Sequence, residues 1–203
     1  MNLQGTPAEL EKTIAGMDIM AELAINNSGH IYAQMLRYQG MALYTLAKLF
    51  NLEGANILEI GTAAGYSTSL MAQAAPLAQI VTLNNRGKEC DEARVTLEQW
   101  PNIEVIQAVS WEFLDTYTGP KLDMVFVDGN HNRVARDMPW FNWLKTNGLI
   151  LFHDYSVQGS PIVFDTVNLF AAKLERKLDI SIVDSNKVGM AGLFRKDGEK
   201  WQT

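Results

Sequence analysis

The side chains best suited to chemistry stand at the ends of two apolar runs. Val125-Phe126-Val127-Asp128-Gly129-Asn130-His131 closes one run, and Leu151-Phe152-His153-Asp154-Tyr155 closes another. Ends of neighbouring strands in a doubly wound sheet converge on one crevice, so Asp128, His131, His153 and Asp154 should meet there. Two carboxylates with imidazole suit a divalent cation. Oxygen ligands favour magnesium or manganese, and a histidine tolerates a softer metal. An imidazole, with an ordinary pKa of about 6.5, is also a reasonable base near neutral pH. Taken singly, each residue has a plainer role. Asp128 would cap a helix starting near Arg133, and His153 with Asp154 would be a structural pair at a strand end.

A second string carries a different chemistry. Leu58-Glu59-Ile60-Gly61-Thr62-Ala63-Ala64-Gly65-Tyr66-Ser67-Thr68 joins a short apolar run to a helical stretch. Glycines at such a junction let the backbone approach a ligand closely. The spacing is Gly-x-x-x-Gly, without the Gly-x-Gly-x-x-Gly of a pyrophosphate-binding turn or the Gly-Lys-Ser/Thr of a triphosphate loop.

These strings need a scaffold, and the rest of the chain supplies its pattern. Apolar runs at 57–60, 80–83, 103–106, 124–127, 149–152 and 180–183 are short and do not alternate, which is how strands buried on both faces read. The segments between them are long enough for crossover helices, which implies a parallel sheet. A last run at 190–195 follows only a brief turn at Asn186-Lys187-Val188-Gly189, too short for a crossover, so it should enter antiparallel. The fold expected is α/β: a doubly wound, mostly parallel, seven-stranded sheet whose last strand is antiparallel. Residues 1–53 read as two helices capping a 54–203 core. Thr6-Pro7-Ala8-Glu9 is a capping box, and Leu10, Ile14, Met17, Ala21 and Ala24 continue one helix to the break at 26–29. Ile31, Met35, Tyr38, Ala42, Leu46 and Leu49 line the next. Trp140, Phe141, Trp143 and Leu144 read as core.

The 203 residues fit one domain. A formal charge of -6 with no run of basic residues speaks against a nucleic-acid partner. The single cysteine, Cys90, permits no intrachain disulfide and reads as a free, partly buried thiol. Neither a signal peptide nor a membrane-spanning run is legible, so a cytoplasmic location without membrane partners is the expectation.

The glycine string resembles the first motif of class I S-adenosylmethionine-dependent methyltransferases. It is most similar to the small O-methyltransferases of the catechol and caffeoyl-CoA type and their bacterial relatives, over residues 39–195. The resemblance implies a Rossmann-like methyltransferase fold with Gly61, Thr62, Ala63, Tyr66 and Ser67 around the methionine part of the cofactor. Glu59 would accept from its ammonium, and Ser110 and Trp111 in Ala108-Val109-Ser110-Trp111 would meet the adenine. At the end of the second core strand the family carries Asp or Glu against the ribose; this chain has Asn84, a weaker neutral acceptor. The family's metal positions fall on Asp128, His153 and Asp154, with His153 replacing a carboxylate. Its proton-accepting lysine falls on His131. Asp128 would therefore border cofactor, metal and catalysis alike. The implied activity is methyl transfer to a small-molecule hydroxyl, with His30 and the 155–160 loop as substrate-site candidates. Transfer to nitrogen or carbon and a homodimer stay open. Competing readings are a non-catalytic cofactor-binding protein on this fold and a nicotinamide-dependent oxidoreductase.

Overall fold

The computed structural model describes residues 1–33 and 35–202. Its strands are β1 (Asn2–Gly5), β2 (Asn56–Ile60), β3 (Gln79–Asn84), β4 (Ile103–Gln107), β5 (Leu122–Val127), β6 (Leu144–Phe152), β7 (Ile180–Asp184) and β8 (Gly189–Phe194). They form one sheet in the order β1-β7-β8-β6-β5-β2-β3-β4. All neighbours are parallel except β8, which runs antiparallel to both β6 and β7. The expected late antiparallel strand is therefore present, inserted between its partners.

The sheet has eight strands and not seven. The extra one is β1, which pairs with β7 at the sheet edge from Asn2↔Ser181 to Gly5↔Asp184. Asn2-Leu3-Gln4-Gly5 has neither a long apolar run nor β-branched residues, so its strand character comes from the edge it completes.

Alternate residues of the strands feed two cores, which explains the continuous apolar runs. Ile57, Met124, Phe126, Leu149 and Leu151 face the N-terminal helices. Leu58, Val125, Ile150, Phe152 and Leu193 face the other layer with Trp140, Phe141 and Phe170. Leu144 is also buried there and Trp143 packs against it, so the 140–144 segment is core as expected.

The N-terminal layer departs from expectation. Its helices are α1 (Pro7–Met17), α2 (Ile19–Asn27) and α3 (Arg37–Ala47). The Thr6–Glu9 capping box forms on both sides. The first helix nevertheless ends at Met17, because Asp18 adopts an extended backbone and its carboxylate accepts from the Met20 N–H at 3.0 Å. One expected helix is thus two. Leu10, Ile14, Ala21 and Ala24 are buried, whereas Met17 is exposed. The next helix starts at Arg37 and not near Ile31, and Leu49 is exposed beyond its end.

The core helices are α4 (Tyr66–Ala74), α5 (Gly87–Thr96), α6 (Ser110–Thr116) and α7 (Pro161–Lys173). Between β5 and β6 the connection is two 3-10 turns and not an α-helix. Strands β2, β3 and β4 proceed outward in one direction, and β5 then returns to the other side of β2. The chain reverses its order between β2 and β5, and a crevice opens above that switch point. Among the described residues no helix is long and apolar enough to cross a membrane.

Candidate active site

The crevice is a cavity of about 460 Å³ above the carboxyl ends of β6, β5, β2, β3 and β4. That is within the usual range for small-molecule sites, roughly 300–1,000 Å³. Tyr32 and Met35, from the segment joining α2 to α3, close part of it.

The glycine turn forms the floor. Gly61 has φ +108°, and a Cβ there would stand 2.2 Å from the Asp128 carbonyl oxygen. Only glycine lets the β2 turn lie against the end of β5. Gly65, at φ +90°, forms the left-handed start of α4, so that the helix's first backbone N–H groups open toward the turn. Thr62, Ala63, Tyr66 and Ser67 line the cavity.

Glu59 does not. Its side chain is wholly buried, and its carboxylate accepts from the hydroxyls of Ser67 at 2.5 Å, Thr82 at 2.5 Å, and Thr68. Burial lifts its pKa to about 7 against those three hydrogen bonds. The carboxylate lies beneath the cleft, tying α4 to β2 and β3, and does not itself open onto the cavity. The same bond commits the Ser67 hydroxyl proton, which leaves the backbone N–H groups of α4 as the donors for an anion.

At the other end of the cleft, Ser110 and Trp111 line the wall. Ser110 donates its hydroxyl to Asp137 at 2.5 Å rather than outward. Burial pushes Asp137 up to about 6, opposed by that bond. The Arg136 guanidinium lies 5.1 Å from the centre of the Trp111 ring, which borders the cavity instead of filling the core. Between the two ends stands Asn84, whose amide donates to Glu89 at 2.9 Å and whose carbonyl accepts from the Arg86 N–H at 3.1 Å. Cys90 is a buried free thiol directed at the backbone carbonyl of Asn84. His30 is exposed, holds the Asn27 carbonyl at 3.1 Å, and does not line the cavity.

Asp128, His131, His153 and Asp154 do come together. His131 Nε2 is 3.2 Å from Asp154 Oδ2 and 3.7 Å from Asp128 Oδ1. His153 Nδ1 is 3.1 Å from Asp128 Oδ1 and 3.3 Å from Asp154 Oδ1. Asp128 does not cap the following turn; that role falls to Asn130, whose side chain accepts from the Asn132 N–H. Asp154 has φ +52°, a left-handed conformation that Asp tolerates better than most side chains, so the chain turns sharply as β6 ends.

His153 meets an acceptor on each side. Its Nε2 faces Gln39 Oε1 at 3.1 Å, and that oxygen is identified because it also takes the Leu36 backbone N–H at 2.9 Å. Both ring nitrogens must then carry protons. Burial works against the charge, but Asp128 and Asp154 outweigh it and lift the pKa to about 10. With both of its nitrogens turned to acceptors, His153 presents no free ligand atom in this arrangement. The group whose ligand atoms all lie within 4.8 Å of one another is Asp128, His131 and Asp154. His131 is raised above an ordinary histidine, chiefly by its bond to Asp128. Asp128 is lowered: burial alone would raise it, and His153 and His131 reverse that.

Gln39 was not anticipated, and its signal was a lone amide on the buried face of α3 between Tyr38 and Ala42. Glu89, Arg86 and Asp137 were also missed, because side-chain partners at these distances leave no periodic trace.

Comparison with known proteins agrees with this geometry. A family model described as "Methyltransferase domain" matches residues 58–155. A catechol O-methyltransferase of Mycobacterium tuberculosis is 28% identical over 180 residues, covering 85% of this chain and 81% of that protein. A crystal structure of an O-methyltransferase from Bacillus cereus with S-adenosylhomocysteine superposes with a TM-score of 0.70 at 20% identity, covering 92% of this chain and 97% of the other. A cofactor-bound protein from Mycobacterium tuberculosis gives a TM-score of 0.69 at 26% identity, covering 94% and 96%. The fold is that of the class I methyltransferases. The relatives and the matched domain support a class I S-adenosylmethionine-dependent O-methyltransferase of the catechol and caffeoyl-CoA type. The oxidoreductase and non-catalytic readings are set aside on the same grounds.

Proposed function

We propose that this protein methylates a hydroxyl oxygen of a small molecule at the Asp128–His131–Asp154 end of the cleft. The observation that carries the reading is His131. It is half-exposed to the cavity, held between two carboxylates, and stands at the far end of one cleft from Trp111.

S-adenosylmethionine supplies, when bound, a methyl on sulfonium sulfur, a leaving group that needs no protonation. The turn at Gly61 and the first N–H groups of α4 would hold its methionine end, and the wall at Trp111 its base. Asp128 and Asp154 orient the imidazole and favour its protonated product. Because Nε2 is the nitrogen turned to the carboxylates, the lone pair of the neutral ring lies on Nδ1, and it is there that His131 would take the acceptor's hydroxyl proton as the oxygen gains the methyl and the sulfur gives it up. The protein's main contribution is alignment of that oxygen with the methyl carbon.

The Asp128, His131 and Asp154 donor set also fits a divalent cation, since two carboxylates and an imidazole stand at mutual ligand distance. Such an ion would fix the acceptor oxygen and lower its hydroxyl pKa. His131 would then act as ligand instead of base.

Release of S-adenosylhomocysteine, measured with a panel of catechols and other hydroxylated aromatics, tests the reading. His131→Ala should lose turnover by about 10²–10⁴-fold and keep cofactor binding within about twofold. In the metal-free case the acid limb of the rate profile should lie above 6.5, because Asp128 raises His131. Activity abolished by EDTA and restored by manganese would convert His131 from base to ligand. Undiminished turnover by His131→Ala would remove it from the reaction.

A further inference from the structure

The middle of the cleft holds a pair of side chains that complement each other. The strand order β5-β2-β3-β4 places the reacting cluster, the glycine turn, Asn84 and the Trp111 wall in succession along one edge. An elongated ligand with its methyl near His131 and a flat base near Trp111 must cross the end of β3. Its ribose, two vicinal hydroxyls that donate hydrogen bonds, would then meet the part of the cavity lined by Asn84, Arg86 and Glu89.

Asn84 is the weaker acceptor of the two, neutral and with one lone pair left on its carbonyl oxygen. Its carbonyl oxygen takes the Arg86 N–H at 3.1 Å and its amide is spent on Glu89 Oε2 at 2.9 Å. Glu89 stands five residues later, in the first turn of α5. Its Oε1 takes Arg86 Nη1 at 2.8 Å, and its side chain is one-third exposed, at 33%. A carboxylate has about four lone-pair positions, so two remain free. Arg86 and Asn84 hold Glu89 below the usual carboxylate range, which keeps it an acceptor. An aspartate at position 84 would set a second negative charge at that same short distance, and like charges so close disfavour joint ionisation. The neutral amide avoids this and acts as a tether.

We propose that Glu89, held by Asn84 and Arg86, supplies the carboxylate that receives the cofactor's ribose hydroxyls. The acidic group then stands in the first turn of α5 and not at the end of β3. This rests on the reading that the cleft binds S-adenosylmethionine. Glu89 is then a specificity residue for the sugar and takes no part in the transfer itself.

Calorimetric titration with S-adenosylhomocysteine and with its 2′-deoxy analogue tests the assignment in the wild type and in Glu89→Gln. Loss of charged hydrogen bonds should weaken S-adenosylhomocysteine by about tenfold or more. The deoxy analogue should change far less, so the wild-type preference for the ribose form should collapse in the variant. Thermal melts verify folding, which an exposed first-turn residue should leave intact. If Glu89→Gln keeps its affinity within about twofold and keeps the preference, Glu89 is only a helix-terminal acid and the proposal is overturned. A wild type that binds neither compound would instead defeat the cofactor reading on which the assignment rests.

Discussion

The two ends of the cleft are built on different principles. From the glycine turn to the Trp111 wall most polar side chains are already paired within the protein. Ser67, Thr68 and Thr82 serve Glu59, Thr62 pairs with Thr82, and Ser110 serves Asp137. What this end offers a ligand, Glu89 apart, is backbone and shape. At the reacting end the side chains themselves face the cavity, and their charges are set by one another: Asp128 and Asp154 against His131 and His153. Substitutions should therefore act differently at each end. Changes to the inward-paired side chains of the first should alter stability more than binding, and those at the second should alter charge and chemistry together.

One position joins both ends, and it should give the largest effect. A Cβ at Gly61 would meet the Asp128 backbone at 2.2 Å and 2.6 Å, with no flexible side chain to yield. Forced overpacking costs about 1–3 kcal/mol, and an unfavourable backbone conformation a further ~1–3 kcal/mol. Gly61→Ala should lower stability by several-degree shifts in melting temperature and also abolish detectable S-adenosylhomocysteine binding. Wild-type affinity in a folded Gly61→Ala protein would show that the turn does not touch the ligand.

The next effect isolates the reacting end. His153 is raised to about 10 from the ordinary histidine value. A base whose folded pKa is raised stabilises fully below its unfolded value and loses that stabilisation as pH climbs through the folded one. The wild type should thus become progressively less resistant to urea between pH 6.5 and 10. His153→Gln removes the cation facing two carboxylates, which costs about 3–5 kcal/mol when a buried pair is broken. It should also flatten that part of the profile. Urea midpoints at pH 6.5 and 9.5 decide the matter, and a wild-type midpoint independent of pH in this window would contradict the doubly protonated state.

The same contrast governs what the residues alone reveal. Strands buried on both faces announce themselves as apolar runs, and the short link before β8 betrays its direction, so the core of the sheet was legible. The convergence of Asp128, His131, His153 and Asp154 followed from strand ends meeting at a switch point. The partner of each nitrogen did not. That depends on Gln39, which lies 114 residues from His153 and reaches it only through tertiary packing. Likewise Glu59, Ser67 and Ser110 were legible as occupants of the right loops, but not as groups spent inward. Asp18, which splits the N-terminal helix, sits within an apolar periodicity that continues past it, so capping chemistry overrode the pattern.

Ser110 provides the smallest and most discriminating case. If its hydroxyl faced the ligand, Ser110→Ala would cost a ligand hydrogen bond. Here that hydroxyl donates to Asp137, so affinity for S-adenosylhomocysteine should fall less than about threefold, below one typical bond. The cost should appear in the fold instead. Asp137 is raised by burial to about 6 and restrained by the Ser110 bond. A raised carboxyl makes the protein less stable as pH increases from its unfolded value through its folded one. Removing the restraint should push Asp137 higher and extend that loss upward past pH 6, with about 1 kcal/mol of net destabilisation at neutral pH. Melting temperatures at pH 5 and 7.5, set beside the titration, separate the two possibilities. Unchanged melting with sharply weakened binding would turn Ser110 outward and dissolve the contrast between the two ends of the cleft.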